Sequence, residues 1–398
     1  MFVNRRTLSA IGAAALAVVA APFLFSSPAS AAGAGSAKVV GATAVQFTAS
    51  AGSTNSLTIT ISGRTVTLDD RVAIKAGRGC KAVKGDRTKV RCTTSGTTTR
   101  LRVSLGDRND TLRNRTAVYL SATGGSGADT MIGGSGRDFL YGGTGGDRLY
   151  GNGGADWLEG ESSADRISGG TGDDEIRGGT GGDRIWGDTG RDYIFAEGGD
   201  DIVAAGDGDD LAYGGSGNDT LYGQAGEDRL GGGYGDDTIL GSTGGDVIEG
   251  DAGNDIIHAG SGQRQLPSGG ILADVVAGGT GNDLIYGEED RDFIVGEDGD
   301  DDIYGGAGDD WVTGGAGNDH VRGGEGDDLL AGERIHEYAG LIEIATAVDQ
   351  VDGDGSAADV CYATDVSAVT GCETQPDDGG AVGMKVRGIF AGASLFHS

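Results

Sequence analysis

The chain has 398 residues, of which 61 are Asp or Glu, 30 are Lys or Arg and 81 are Gly, for a net charge of −31. That sign, without an aromatic stacking motif, argues against a nucleic-acid partner. A glycine-rich acidic chain can also be disordered, but disorder does not place an aliphatic residue at every ninth position, as this chain does.

At the N-terminus Arg5 and Arg6 precede an apolar run from Leu8 to Phe25, and Ala29-Ser30-Ala31 has the small-residue pattern of a signal-peptidase site. Residues 1–31 are expected to be a signal peptide and the mature chain to be extracellular. The run is short and broken by Pro22, which disfavours a membrane anchor, and no later segment is apolar enough to span a bilayer.

Residues 32–123 are expected to form a β-rich N-terminal cap. Leu57-Thr58-Ile59-Thr60-Ile61 and Thr65-Val66-Thr67-Leu68 alternate with period two on either side of a Ser62-Gly63-Arg64 turn, the pattern of half-buried strands. A basic run includes Arg71, Lys75, Arg78, Lys81, Lys84, Arg87, Lys89 and Arg91. It reads either as solvated charge balancing the acidic remainder or as an anchor for an acidic wall polymer. Cys80 and Cys92, with Cys361 and Cys372 beyond the repeats, lack zinc-site spacing. They are expected to form two local disulfides in an oxidising compartment.

From Gly124 to His258 the chain runs through fifteen gapless nonapeptides of the form Gly-Gly-x-Gly-x-Asp-x-(Leu/Ile/Val)-x, and six more run from Gly278 to Ala331. The sixth residue is always Asp, and the eighth departs from Leu, Ile or Val only at Met131 and Ala212. Position one is Gly except at Ala196 and Ala205, and position four except at Ser163 and Asp290, which implies backbone conformations that side chains obstruct. Each repeat is thus a turn followed by a short strand.

A strand with one inward aliphatic residue cannot bury it alone, so successive strands must stack around a shared narrow core. The fold class is expected to be all-β, a parallel solenoid with two repeats per coil and coils about 4.8 Å apart; some eleven coils would make a rod on the order of 50 Å long. Aspartates stacked at that spacing repel one another. A hard divalent cation between coils resolves the repulsion, and calcium accepts six to eight oxygens from carboxylates and backbone carbonyls.

The pattern resembles the RTX, or hemolysin-type, calcium-binding repeat. The resemblance implies a parallel β-roll in which the position-six aspartates ligate calcium ions between coils. Those residues are Asp129, Asp138, Asp147, Asp156, Asp165, Asp174, Asp183, Asp192, Asp201, Asp210, Asp219, Asp228, Asp237, Asp246 and Asp255, then Asp283, Asp292, Asp301, Asp310, Asp319 and Asp328. Asp110 joins them from a half-formed repeat at Leu105–Leu112, and Asp274 from the end of an irregular segment. In that segment, 259–277, Arg264 stands at the sixth position, Pro267 falls in the strand and Ser268 is one residue too many, so a bulge or kink is expected.

After the roll, residues 332–374 are expected to form a C-terminal cap with a degenerate last repeat near Asp352 and Asp354, and 375–398 a loose tail. No His-Glu-x-x-His, Gly-x-Ser-x-Gly or P-loop lysine is present, so the expectation is a protein without catalysis. The sequence therefore reads as a secreted calcium-binding protein that folds on taking up its ions. The alternative is an extracellular adhesin or carbohydrate-binding module, suggested by position-nine aromatics such as Tyr141, Tyr150, Trp186, Tyr213 and Tyr222, with a cell-wall or extracellular polysaccharide as partner.

Overall fold

The computed structural model describes residues 33–265 and 271–333, and short strands at 336–338, 341–343, 350–352, 360–362 and 369–370. Among these residues there is no helix, and hence none long and apolar enough to cross a membrane. Nearly every nonapeptide supplies one six-residue strand, such as Arg166–Thr171 or Glu175–Thr180, and the turn residues Gly-x-Asp separate it from the next. Strands two repeats apart pair in parallel without slippage: Leu149 lies beside Ile167, and Ile167 beside Ile185. Odd and even repeats therefore build two facing sheets, and the solenoid makes about 12 turns.

Period-two alternation decides which side chains go inside. Leu140, Leu158, Ile176 and Ile194 from one sheet meet Leu149, Ile167, Ile185 and Val203 from the other, each at most 1% exposed. The departures Met131 and Ala212 are buried in the same rows. One aliphatic side chain contributes about 1.5–3 kcal/mol when fully buried, while ordering a residue's backbone costs about 1–2 kcal/mol. With one such side chain per nine residues, the core alone cannot fix this fold.

The roll begins before the first nonapeptide. Ala44–Thr48 pairs in parallel with Arg100–Asp107, which pairs in parallel with Tyr119–Ser126. On the other sheet Ser56–Ser62 pairs in parallel with Thr111–Asn114, and that strand with Thr130–Ile132. The half-formed repeat around Asp110 is thus a real coil, one more than the nonapeptide count supplies. Antiparallel strands then cover the sheet ends: Gly35–Val40 against Ala44–Thr48, and Thr65–Asp69 against Ser56–Ser62. Asp86–Thr93 and Cys80–Val83 follow, with Cys80 opposite Cys92 in the pairing and joined to it by a disulfide. At this end the sheets therefore finish on short strands, Ile74–Ala76 and Cys80–Val83, rather than on a bare coil, and a short edge offers little to a second chain.

The irregular segment does not kink the roll. Val247–Ala252 pairs directly with Val275–Thr280, and Ile256–Ser261 with Leu284–Glu289. Arg264–Gln265 and Ile271–Leu272 pair with each other as a separate antiparallel ribbon. Counting by nine places Arg264 at the sixth position, whereas the structure places Asp274 there. Ala259–Gly262 supplies the turn, Ala273–Ala277 the rest of the same repeat, and residues 263–272 are an insertion within it.

Beyond Ala331 the coils continue, with Gln350–Asp352 beside His320–Arg322 and Val360–Tyr362 beside Leu329–Ala331. The expected signal peptide 1–31, the Cys361–Cys372 disulfide and the tail 375–398 lie outside the described residues.

Candidate metal centre

Position six is where each turn enters its strand, so parallel stacking brings the aspartates into two columns, one on each edge of the roll. One column runs Asp110, Asp129, Asp147, Asp165, Asp183, Asp201, Asp219, Asp237, Asp255, Asp283, Asp301 and Asp319; all are at most 3% exposed. The other runs Asp138, Asp156, Asp174, Asp192, Asp210, Asp228, Asp246, Asp274, Asp292, Asp310 and Asp328, buried to the same degree. Each carboxylate uses Oδ1 to accept the main-chain N–H of the column residue one coil earlier. Asp129 N–H reaches Asp147 Oδ1 at 2.6 Å, Asp165 N–H reaches Asp183 Oδ1 at 2.8 Å, and Asp192 N–H reaches Asp210 Oδ1 at 2.8 Å.

The second oxygen is different. At Asp129, Asp147, Asp165, Asp183 and Asp201 in one column, and at Asp156, Asp174 and Asp192 in the other, Oδ2 is buried with no hydrogen-bond donor. It lies instead against the position-one glycine of its own repeat, where the position-one carbonyl of the next coil also arrives. A methyl group added at Gly142 would collide with Asp147 Oδ2 and Gly160 O, and one at Gly178 with Asp183 Oδ2 and Ala196 O. A buried carboxylate oxygen without a donor, with a carbonyl oxygen converging on the same place, makes room for a cation.

The glycines accordingly serve two ends. Position one is not left-handed; it is small so that oxygens can approach. Position two carries the left-handed turn, at Gly125 and Gly143 with φ of 109° and 111°, and there even side chains comply: Glu161, Asp188 and Glu197 hold φ of 75°, 76° and 76°. Such residues cost of order 1–3 kcal/mol each and persist only where surroundings over-determine them.

Burial raises the pKa values of the column carboxyls, and the like charges above and below raise several of them further. Asp192, Asp228, Asp255 and Asp292 are pushed up to about 8, Asp129 and Asp165 to about 7, and Asp147 and Asp183 to about 6. An unpartnered buried polar atom costs about 1–3 kcal/mol. Repeated along two columns, that exceeds the net stability of about 5–15 kcal/mol typical of a folded domain.

Among the described residues no three His, Cys, Asp or Glu side chains gather as a ready metal cluster. Each edge offers one carboxylate per coil, and backbone oxygens must complete any coordination shell. That donor set suits calcium, which takes carbonyl and carboxylate oxygens in flexible numbers, better than magnesium or zinc.

The columns end differently. Asp138, the first carboxylate of its column, accepts Leu120 N–H at Oδ1 (3.1 Å) and Gly134 N–H at Oδ2 (2.5 Å), so both its oxygens are satisfied. Asp138 therefore differs from its fellow candidates. In the other column Asp110 Oδ1 accepts Asn55 N–H at 2.5 Å, which extends the column to a residue outside any nonapeptide.

The fold and its two edges define a parallel β-solenoid with a column of buried aspartates stacked along each edge. The sequence profile of the RTX calcium-binding nonapeptide repeat matches nine stretches, from 123–158 to 295–330, which together cover more than half of the chain. The chain belongs to the RTX calcium-binding nonapeptide repeat family. No curated protein matches it.

Proposed function

We propose that this is a secreted calcium-binding protein whose roll folds as its ions bind, and that it has no catalytic role. The observation that carries the reading is the row of buried Asp Oδ2 atoms without donors, as at Asp129, Asp147 and Asp165. A cation between coils supplies the missing partner and cancels the repulsion along the column. With free calcium at ten times the dissociation constant, each site contributes ~1.4 kcal/mol, so many weak sites together fix a glycine-rich chain. Folding and binding then become one event. The leader-like pattern of residues 1–31 supports export to where calcium is plentiful, and carboxylates committed to the columns are poor acids and bases. Far-UV circular dichroism of residues 32–398 in a calcium titration, with magnesium as control, tests this. A cooperative coil-to-β transition specific to calcium is expected, and a β spectrum indifferent to chelator would refute the reading.

A second reading, display of a polysaccharide-binding face, is favoured by one surface feature. Arg148, Arg166 and Arg184 lie side by side on adjacent parallel strands, all exposed. Among the described residues no carboxylate pairs with them, whereas Arg191 and Arg291 pair with Asp209 and Asp309. Tyr150 and Trp186 flank them on the same face. Stacked like charges repel, and a linear polymer carrying carboxylates relieves that repulsion. Binding of an acidic polysaccharide to the calcium-loaded protein, weakened at least tenfold by replacing the three arginines with alanine, is the expected result. Equal binding by the triple variant would remove this reading.

A further inference from the structure

The N-terminal strands hold a constellation that the nonapeptide frame does not include. Ser56–Ser62 has Thr111–Asn114 as its parallel neighbour on one side and Thr65–Asp69 as its antiparallel neighbour on the other. Asn55 thus occupies the column position one coil before Asp110. Asp70, arriving from the antiparallel strand, lies on the far side of the same backbone, and its Oδ1 accepts Ser56 N–H at 2.6 Å and Arg71 N–H at 2.7 Å. Asn55, Asp70 and Asp110 are 2%, 5% and 2% exposed. Four of their side-chain atoms are buried without a hydrogen-bond partner: Asn55 Oδ1 and Nδ2, Asp70 Oδ2 and Asp110 Oδ2.

An asparagine whose amide oxygen has no donor, beside two carboxylates each with one oxygen open, is costly unless a cation sits there. The other column shows the contrast. Its first carboxylate, Asp138, is closed by two N–H groups, and the coil before it presents the apolar Leu120.

We propose that Asn55 Oδ1, Asp70 Oδ2 and Asp110 Oδ2 hold a calcium ion of their own, outside the nonapeptide repeats, which fastens the N-terminal strands to the first coil. The donor set is two carboxylate oxygens and one neutral amide oxygen, the hard-oxygen chemistry of a calcium ligand shell, with carbonyls or water completing it. The proposal rests on the calcium reading of the columns and adds to it a site with a different donor set and a different partner strand.

Hydrogen exchange followed by mass spectrometry on the full mature chain, across a calcium titration at constant sodium, tests it. Protection of residues 55–72 is expected to depend on calcium. Asp70→Asn should raise the calcium midpoint of that segment tenfold or more while leaving the midpoint of residues 237–255 unchanged. Asn55→Asp, which adds a carboxylate without changing size, should lower the segment's midpoint and remains readable should Asp70→Asn fail to fold. Protection of 55–72 that ignores calcium, or a midpoint shared by wild type and Asn55→Asp, overturns the proposal while leaving the repeats untouched. Loss of calcium dependence at 237–255 in the wild type would instead overturn the reading of the roll itself.

Discussion

The main-chain N–H of Asp246 meets Asp274 Oδ1 at 2.6 Å across 28 residues of chain, in the same ladder in which Asp228 N–H meets Asp246 Oδ1 at 2.9 Å across 18. The ladder therefore passes the insertion without a break. Excising residues 263–272 joins Gly262 to Ala273 and regenerates a regular repeat, Ala-Gly-Ser-Gly-Ala-Asp-Val-Val-Ala. The deletion is expected to preserve calcium-dependent folding and to change stability by no more than about 1 kcal/mol, the scale of closing a short loop. A thermal melt in saturating calcium checks it; loss of the cooperative transition would mean that the inserted ribbon is needed for folding.

Two aspartates that look alike in sequence should behave differently. Asp201 has a buried Oδ2 without a donor, whereas Asp138 Oδ2 already receives Gly134 N–H. Asp201→Asn keeps an oxygen for Asp183 N–H but turns an amide toward the ion position, so the calcium midpoint should rise. Asp138→Asn sets its NH2 against Gly134 N–H. It should cost about 1–3 kcal/mol at saturating calcium with little change in calcium requirement. Parallel calcium titrations and melts separate the two; identical behaviour of the variants would show that both sites bind ions alike.

Space at position one admits a complementary test. Ala196 and Ala205 stand where other repeats have glycine, and a methyl group there points at the meeting place of the Asp carboxylate and the next coil's carbonyl, as at Gly214, where it would collide with Asp219 Oδ2 and Gly232 O. Ala196→Gly and Ala205→Gly together should lower the calcium concentration needed for folding. Gly214→Val should raise it, with a penalty of about 1–3 kcal/mol for overpacking. Midpoints ordered the other way would place the ions elsewhere in the turn.

Much of this was legible in the sequence because each nonapeptide carries its own turn, ligand and core residue. The sixth and eighth positions state the wet and dry columns outright, and parallel stacking turns them into rows. What the sequence concealed depends on partners from outside the frame. Asp70 reaches the column from an antiparallel strand, and nothing in Leu68-Asp69-Asp70-Arg71 marks it as a rung. Arg264 occupies the sixth place only by counting, because an insertion is invisible to a fixed period until Asp246 is seen to bond Asp274. The loss of an open oxygen at Asp138 depends on how Gly134 turns its N–H.

The acid–base behaviour of the columns gives a prediction whose sign is opposite to that of ordinary paired carboxylates. Burial holds Asp192, Asp228, Asp255 and Asp292 near 8 and Asp147 and Asp183 near 6 in the folded, ion-free roll, against 3.8 for the ordinary carboxyl. Between those limits the folded chain binds more protons than the unfolded one, so stability falls as pH rises. Without calcium, β-structure should therefore be favoured most on acidification to about the ordinary value of 3.8 and be lost as pH climbs from there through about 6–8, the folded-state range. With calcium the ions replace the protons, so binding should release protons and the calcium midpoint should rise as pH falls. Circular dichroism in chelator across this range, with calorimetry in two buffers of different ionisation heat, measures both. A calcium-free chain that gains structure as pH rises would show that its aspartates are not buried as unpaired acids.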